Sequence, residues 1–171
     1  MCRIRDAVKL APLVVVLLVA SCGSAPAADP PVGAQGAEAV VTRVTDGDTV
    51  HIYSAAGPDV VRLLGIDTPE TVKPHTPVQC GGPEASAFAH QLLDGQHVTI
   101  VADPTQADRD RYHRLLRYVR LSDGRDYSVE AARAGMARDY VYGYRPVQEQ
   151  AQIMGAQGEA QAARRGLWGE C

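Results

Sequence analysis

Four short stretches hold the side chains whose types and spacing suit chemistry on a phosphate ester. They are Asp46-Gly47-Asp48-Thr49, Arg62-Leu63-Leu64-Gly65-Ile66-Asp67-Thr68-Pro69-Glu70, Gly82-Pro83-Glu84-Ala85-Ser86-Ala87-Phe88 and Asp110-Arg111-Tyr112-His113-Arg114. Phosphodiester hydrolysis needs charge stabilised on a crowded anionic phosphorus, an in-line leaving group and an oriented water. Hard carboxylate oxygens gather Ca²⁺ or Mg²⁺, which can polarise a phosphoryl oxygen. Arginines present planar, permanently charged forks to phosphate. Asp48 at a turn, with Asp67 and Glu70 just past a strand end, could collect carboxylates at one end of a sheet, and Arg62 adds a cation on the same strand. Read alone, the pattern leaves a plain alternative open: Asp-Gly-Asp is common in turns, and Arg62 could serve a surface ion pair.

The elements that would position these residues follow from hydrophobic pattern and turn chemistry. Ala39–Val44 and Val50–Tyr53 are β-rich runs separated by a hairpin signal, and Val60–Ile66 is a third strand candidate stopped by Pro69. Gly82-Pro83-Glu84 opens a helix that Gly95 closes, with Ala85, Phe88 and Leu92 on one face. Val98–Ala102 and Leu115–Leu121 supply two more strands. Ser128 can cap a short helix ending at Gly135. Gln148–Arg165 forms the last helix, with Ile153, Ala156, Ala160 and Ala163 at helical spacing. Five short strands with helices inserted predict an α+β fold, a five-stranded OB-type β-barrel with three α-helices.

The four stretches, in this order and spacing, resemble the staphylococcal nuclease (thermonuclease) family, and the resemblance runs from about Val40 to Trp168, including Glu159-Ala160-Gln161-Ala162 and Leu167-Trp168. It implies a calcium-dependent endonuclease that hydrolyses DNA and RNA to 3′-phosphorylated products. Asp48 and Asp67 match the calcium carboxylates, and Thr68 the residue lending a backbone carbonyl. Glu70 matches the carboxylate that orients or deprotonates the attacking water. Arg62 and Arg114 match the phosphate-clamping pair, and Arg111 and Tyr112 match contacts to the terminal phosphate of a bound nucleotide. Tyr140, Tyr142 and Tyr144 alternate before Arg145-Pro146 in the manner of the family's base-stacking tyrosines, with Tyr142 the best match.

Other residues read as structural. Asp46 is expected as a turn residue, Asp108 and Asp110 as solvated loop charges (Asp110 with Arg111 as a possible partner), and Glu84 as a first-turn carboxylate favoured by the helix dipole. His51, His75, His90, His97 and His113 show no ligand spacing. His113 stands where the family pattern has glycine, so a positive φ there would be strained.

The chain of 171 residues fits one domain with attachments. Arg3, Arg5 and Lys9 precede an apolar run, Leu10–Ala20, too short to span a bilayer comfortably. Val19-Ala20-Ser21-Cys22 then resembles a bacterial lipobox, with Cys22 the acylated residue; an ordinary cleaved signal is the alternative. Residues 1–21 are expected as the signal, 22–37 as a Pro/Gly-rich tether and 38–171 as the domain. This implies a protein anchored by lipid to the outer face of the cell membrane. Cys80 and Cys171 are the two thiols left, and in an exported chain an even pair reads as a disulfide, with two free thiols the alternative. The net charge of -3 excludes binding to nucleic acid through a global positive field, and predicts weaker, more salt-sensitive DNA affinity. A noncatalytic OB module binding nucleic acid or protein, and a structural envelope lipoprotein, are the rival expectations; a monomer without an obligate protein partner is the default.

Overall fold

The computed structural model describes residues 36–71 and 77–171, so the expected signal, Cys22 and His75 lie outside the described residues. Strand β1 (Ala37–Asp46) turns through Gly47-Asp48 into β2 (Thr49–Ser54), which pairs antiparallel with β3 (Gly57–Leu63). After the two-residue strand β4 (Ile66–Asp67) come helix α1 (Gly82–Leu93), β5 (His97–Ala102) and β6 (Leu115–Arg120). Helix α2 (Tyr127–Ala134), strand β7 (Arg138–Asp139), helix α3 (Gln150–Ala162) and a last turn of helix, α4 (Leu167–Glu170), complete the chain.

Five strands close into a barrel in the order β1-β2-β3-β6-β5, with β5 returning to β1. All neighbours are antiparallel except β3 and β6. Two register shifts in β1, at Val41/Arg43 and Val44/Asp46, mark the irregularity by which a strand bends to close a small barrel. The interior is filled by Val41, Val50, Ile52, Val61, Leu63, Val98 and Val119, all essentially inaccessible to water. The OB-type α+β reading is the observed fold.

Local differences have identifiable causes. The third strand ends at Leu63 rather than running through Ile66, because Gly65 adopts φ 76° and turns the chain. A side chain there would also collide, since a Cβ would lie 2.3 Å from Ile153 Cδ1. The short continuation pairs instead with β7, matching Ile66 to Asp139 and Asp67 to Arg138. Helix α2 is capped by Asp126, whose carboxylate accepts the Val129 N–H at 3.2 Å. Ser128, the expected cap, is buried and donates to the Leu64 carbonyl at 2.9 Å. Ala85, Ala89 and Leu93 form the buried face of α1, with Phe88 and Leu92 only partly covered. The Cys80–Cys171 disulfide is formed, with Cα atoms 5.9 Å apart.

Candidate active site

The β1–β2 turn is held from three sides. Tyr127 Oη donates to the Gly47 carbonyl at 2.9 Å, and the Leu63 N–H donates to the Asp48 carbonyl at 2.9 Å. Thr68 presses so close that a Cβ on Gly47 would fall 2.8 Å from its methyl group. Asp48 is thereby fixed and nearly buried, accepting Thr49 Oγ1 at 2.9 Å on one oxygen and the Thr68 N–H at 3.2 Å on the other.

Arg62 is anchored by its own turn. Its Nη1 donates to the carbonyls of Leu63 (2.8 Å) and Ile66 (2.9 Å), which leaves Nη2 facing Asp48 at 3.0 Å and Asp67 at 3.1 Å. Lost hydration raises the Asp67 carboxyl above its ordinary value, although 59% of its side chain still reaches solvent. The charges of Asp48 and Glu70 push it the same way, and Arg62 and Arg138 oppose them.

Asp46 belongs to this cluster. Its carboxyl is pushed up to about 6, chiefly by burial, against a stabilising Gly47 N–H and with Glu70 and Asp48 adding to the rise. Asp46 is also the expected turn residue, accepting the Gly47 N–H at 2.8 Å. Glu70 has its backbone bonded to Gln79 on both sides and its carboxylate accepting the Thr71 N–H at 3.1 Å.

The Asp46, Asp48, Asp67 and Glu70 oxygens are a hard-donor set, with Asp48 and Glu70 within electrostatic reach of both Asp46 and Asp67. The buried hydroxyl of Thr68 has no hydrogen-bond partner. This chemistry suits a hard divalent cation. Among the described residues no three His, Cys, Asp or Glu side chains are grouped closely enough to hold an ion, and Arg62 bridges Asp48 and Asp67. The donors fit the cation in kind, with the arginine between them.

The second arginine is built by a loop wound around Asp110. Its carboxylate accepts the N–H groups of Tyr112 (2.8 Å) and Arg114 (3.0 Å), and its second oxygen takes Nε and Nη2 of Arg114, each at 2.7 Å. Burial alone would raise this carboxyl, but the Arg114 side chain and the two backbone N–H groups hold it below the usual range. The expectation of a solvated charge is therefore corrected at Asp110, and its partner is Arg114, not Arg111. Asp108 is exposed but pairs with Arg117. His113 does take φ 64°, the strained conformation that the glycine of the family pattern suggests.

Arg114 Nη1 reaches Thr49 Oγ1 at 3.3 Å, and Thr49 in turn bonds Asp48, so the loop and the carboxylate turn are one connected network. Arg111 and Arg114 both lie over the Tyr112 ring, at 4.8 and 5.4 Å from its centroid, and Arg111 donates to its hydroxyl at 2.7 Å. A cleft of about 370 Å³ opens beside them, lined by Arg62, Arg111, Tyr112, Arg114, Tyr140 and Tyr142 among others. Asp110 lines it as well, whereas Asp46, Asp48, Asp67 and Glu70 do not; Arg62, in contact with Asp48 and Asp67, joins the acidic cluster to the cleft.

Residues 60–170 match the family described as Staphylococcal nuclease homologue. The chain belongs to the staphylococcal nuclease family. It is 41% identical over 138 residues to a thermonuclease of Staphylococcus intermedius, covering 78% of this chain and 77% of that protein. It is 41% identical over 130 residues to a thermonuclease of Staphylococcus hyicus, covering 75% and 73%. An endonuclease of Bacillus subtilis (YncB) shares 39% identity over 101 residues, 58% of this chain and 47% of its own length.

Within this nuclease-family domain, the structure brings Arg62, Asp48, Asp67, Thr68, Glu70 and Arg114 into one network, with Arg111, Tyr112 and Tyr142 along the adjoining cleft. Sequence reasoning missed Asp46 as a member of the acidic cluster; of the three alternating tyrosines it offered, Tyr140 and Tyr142 line the cleft. Tyr144 is fully exposed and does not line the cleft. The signal for Asp46 was present in its two-residue spacing from Asp48; a tight turn can aim both carboxylates inward when a buried wall faces it.

Proposed function

We propose that this protein is a calcium-dependent endonuclease that hydrolyses DNA and RNA to 3′-phosphorylated products. The observation that supports it is the convergence of two guanidinium groups on one carboxylate turn: Arg62 touches Asp48 directly, and Arg114 reaches it through Thr49. A binding-only module has no need of four mutually repelling acids beside a polyanion site.

Arg62 and Arg114 bind the scissile phosphate and stabilise the charge that builds on its oxygens as phosphorus becomes five-coordinate. Arg111 and Tyr112 hold the neighbouring phosphate, and Tyr142 offers a sequence-tolerant stacking face. Glu70 accepts one proton from water as the water oxygen, keeping its other hydrogen, bonds to phosphorus; the P–O5′ bond breaks, the departing O5′ takes a proton from solvent, and Glu70 returns its own to solvent. Asp48, Asp67 and the Thr68 carbonyl would hold Ca²⁺, which when bound supplies Lewis-acid polarisation of a phosphoryl oxygen.

The test is cleavage of single-stranded DNA and RNA oligonucleotides by the soluble domain, with calcium and with chelator. The expected result is calcium-dependent cleavage leaving 3′-phosphates, and a Glu70→Gln variant slower by roughly two or more orders of magnitude. Folded protein without calcium-dependent cleavage overturns the reading, as would calcium that fails to raise thermal stability either alone or with a nucleotide. The location follows from Cys22: lipidation there would tether the domain to the outer face of the membrane. A Cys22→Ser chain should leave the membrane fraction, and a wild-type chain already soluble outside the cell overturns that part.

A further inference from the structure

Glu70 lies on irregular chain just past β4, where no strand ladder fixes its backbone. One residue holds its peptide from both sides. The Glu70 N–H donates to Gln79 Oε1 at 3.0 Å, and the Glu70 carbonyl accepts the Gln79 N–H at 3.0 Å. This reciprocal pair sets the direction in which the Glu70 side chain leaves the backbone. Yet Gln79 is itself exposed and packs into no core, so its own position must come from its neighbours.

Those neighbours form a continuous support. The Gln79 carbonyl accepts the Gly82 N–H at 3.0 Å where α1 begins. Cys80 is bonded to Cys171, 91 residues away. Gly81, at φ 78°, admits Leu167 so closely that a Cβ would stand 2.2 Å from its Cδ2. Leu167 is buried, and its N–H donates at 2.9 Å to the carbonyl of Gly135, which caps α2. Stiffness is thus transmitted from α2 through α4 and the disulfide to Gln79.

We infer that Gln79 is a positioning residue for Glu70, and that the Cys80–Cys171 disulfide gives Gln79 its fixed place. Its role in turnover rests on the reading of Glu70 as the water-activating carboxylate. A small misplacement of a catalytic group costs far more in turnover than in stability, because reaction demands near-attack geometry while folding tolerates a loosened loop.

The test measures kcat and KM on a single-stranded DNA oligonucleotide with calcium, with thermal melts confirming folding. The variants are Gln79→Ala, Cys80→Ser with Cys171→Ser, Glu70→Gln, and Gln79→Ala combined with Glu70→Gln. Gln79→Ala removes only an exposed acceptor, so it keeps a folded comparison available even if the serine pair unfolds. The expected result is a loss of kcat of roughly tenfold in Gln79→Ala and in the serine pair, with KM within about twofold. Adding Gln79→Ala to Glu70→Gln should cost nothing further, a coupling that a general structural role would not produce. Unchanged kcat in Gln79→Ala, or the same loss repeated in the Glu70→Gln background, overturns the inference alone. Full turnover in Glu70→Gln removes the reading of Glu70 and the inference with it.

Discussion

Arg62 carries two loyalties at the residue scale. Its Nη1 is committed to the Leu63 and Ile66 carbonyls, while Nη2 meets Asp48 and Asp67, so the guanidinium is aimed before any substrate arrives. Arg114 is aimed differently, by one oxygen of Asp110 that takes both its Nε and Nη2 while the other oxygen accepts the loop's own N–H groups. Two predictions follow from that contrast. Arg114→Ala should lower turnover by about 10²- to 10³-fold, the range for losing one donor to a developing oxyanion. Asp110→Asn, which keeps the loop acceptor but loses the charge pair, should show a smaller drop in steady-state kinetics. Because His113 sits at φ 64°, His113→Gly should leave turnover within a few-fold and raise stability by up to about 1 kcal/mol in urea unfolding, the relief of left-handed strain being partly offset by greater freedom of the unfolded chain.

At the scale of elements, α2 is tied to the barrel by buried polar groups as much as by packing. Asp126 caps its N-terminus while facing Arg120 from β6 at 3.5 Å and Glu149 from the start of α3. Burial pushes the Asp126 carboxyl up to about 7, Glu149 adds to the rise, and Arg120 with the Val129 and Ser128 N–H groups opposes it. The folded state therefore keeps this proton over a range where the unfolded chain, at about 3.8, has lost it. That contribution to stability is complete below pH 4 and disappears as pH rises toward about 7. Asp126→Asn retains a capping oxygen without the titration, so its unfolding free energy should depend less steeply on pH across that window. Identical pH slopes for the two proteins would contradict the assignment.

Across the whole molecule, the closing device is covalent. The disulfide joins the segment before α1 to the last residue of the chain, across a separation of 91 residues. In the chain-entropy account, a loop of this size stabilises by roughly 4 kcal/mol. Replacing both cysteines by serine should accordingly lower the urea midpoint and steepen the dependence on denaturant, because the unfolded chain without its cross-link exposes more surface. The net charge of -3 sets a second whole-molecule property: most surface arginines, such as Arg109, Arg117, Arg125 and Arg133, are paired with carboxylates, so attraction for a polyanion depends on the cations along the cleft, Arg62, Arg111 and Arg114 among them. Substrate capture then depends on a few arginines, and neutralising Arg111 should weaken KM for oligonucleotides more than it lowers kcat.

The barrel was legible in the order of its strands because alternating Val, Ile and Leu have only one way to bury a face. The spacing of Arg62 from Asp67, and the turn at Asp46-Gly47-Asp48, were legible for the same local reason: strand and turn geometry act over a few residues. Ser128 was misread as a cap because the choice between a carboxyl and a hydroxyl two residues apart depends on which one the Leu64 carbonyl reaches, a long-range matter. Asp46 and Asp110 were read as solvated or turn charges because charge in a sequence says nothing about the wall it will meet. The sequence by itself determined the elements, their order and the set of chemical groups available. Only the tertiary structure decided that Thr68 and Tyr127 would bury the first turn, that Asp110 would grip Arg114, and that Gln79 would hold Glu70. Tyr127 and Thr68 reach the first turn across long stretches of chain. Although Asp110 and Arg114, and Glu70 and Gln79, are near neighbours in sequence, the irregular loops that pair them have no local pattern and take their shape from packing on the closed barrel.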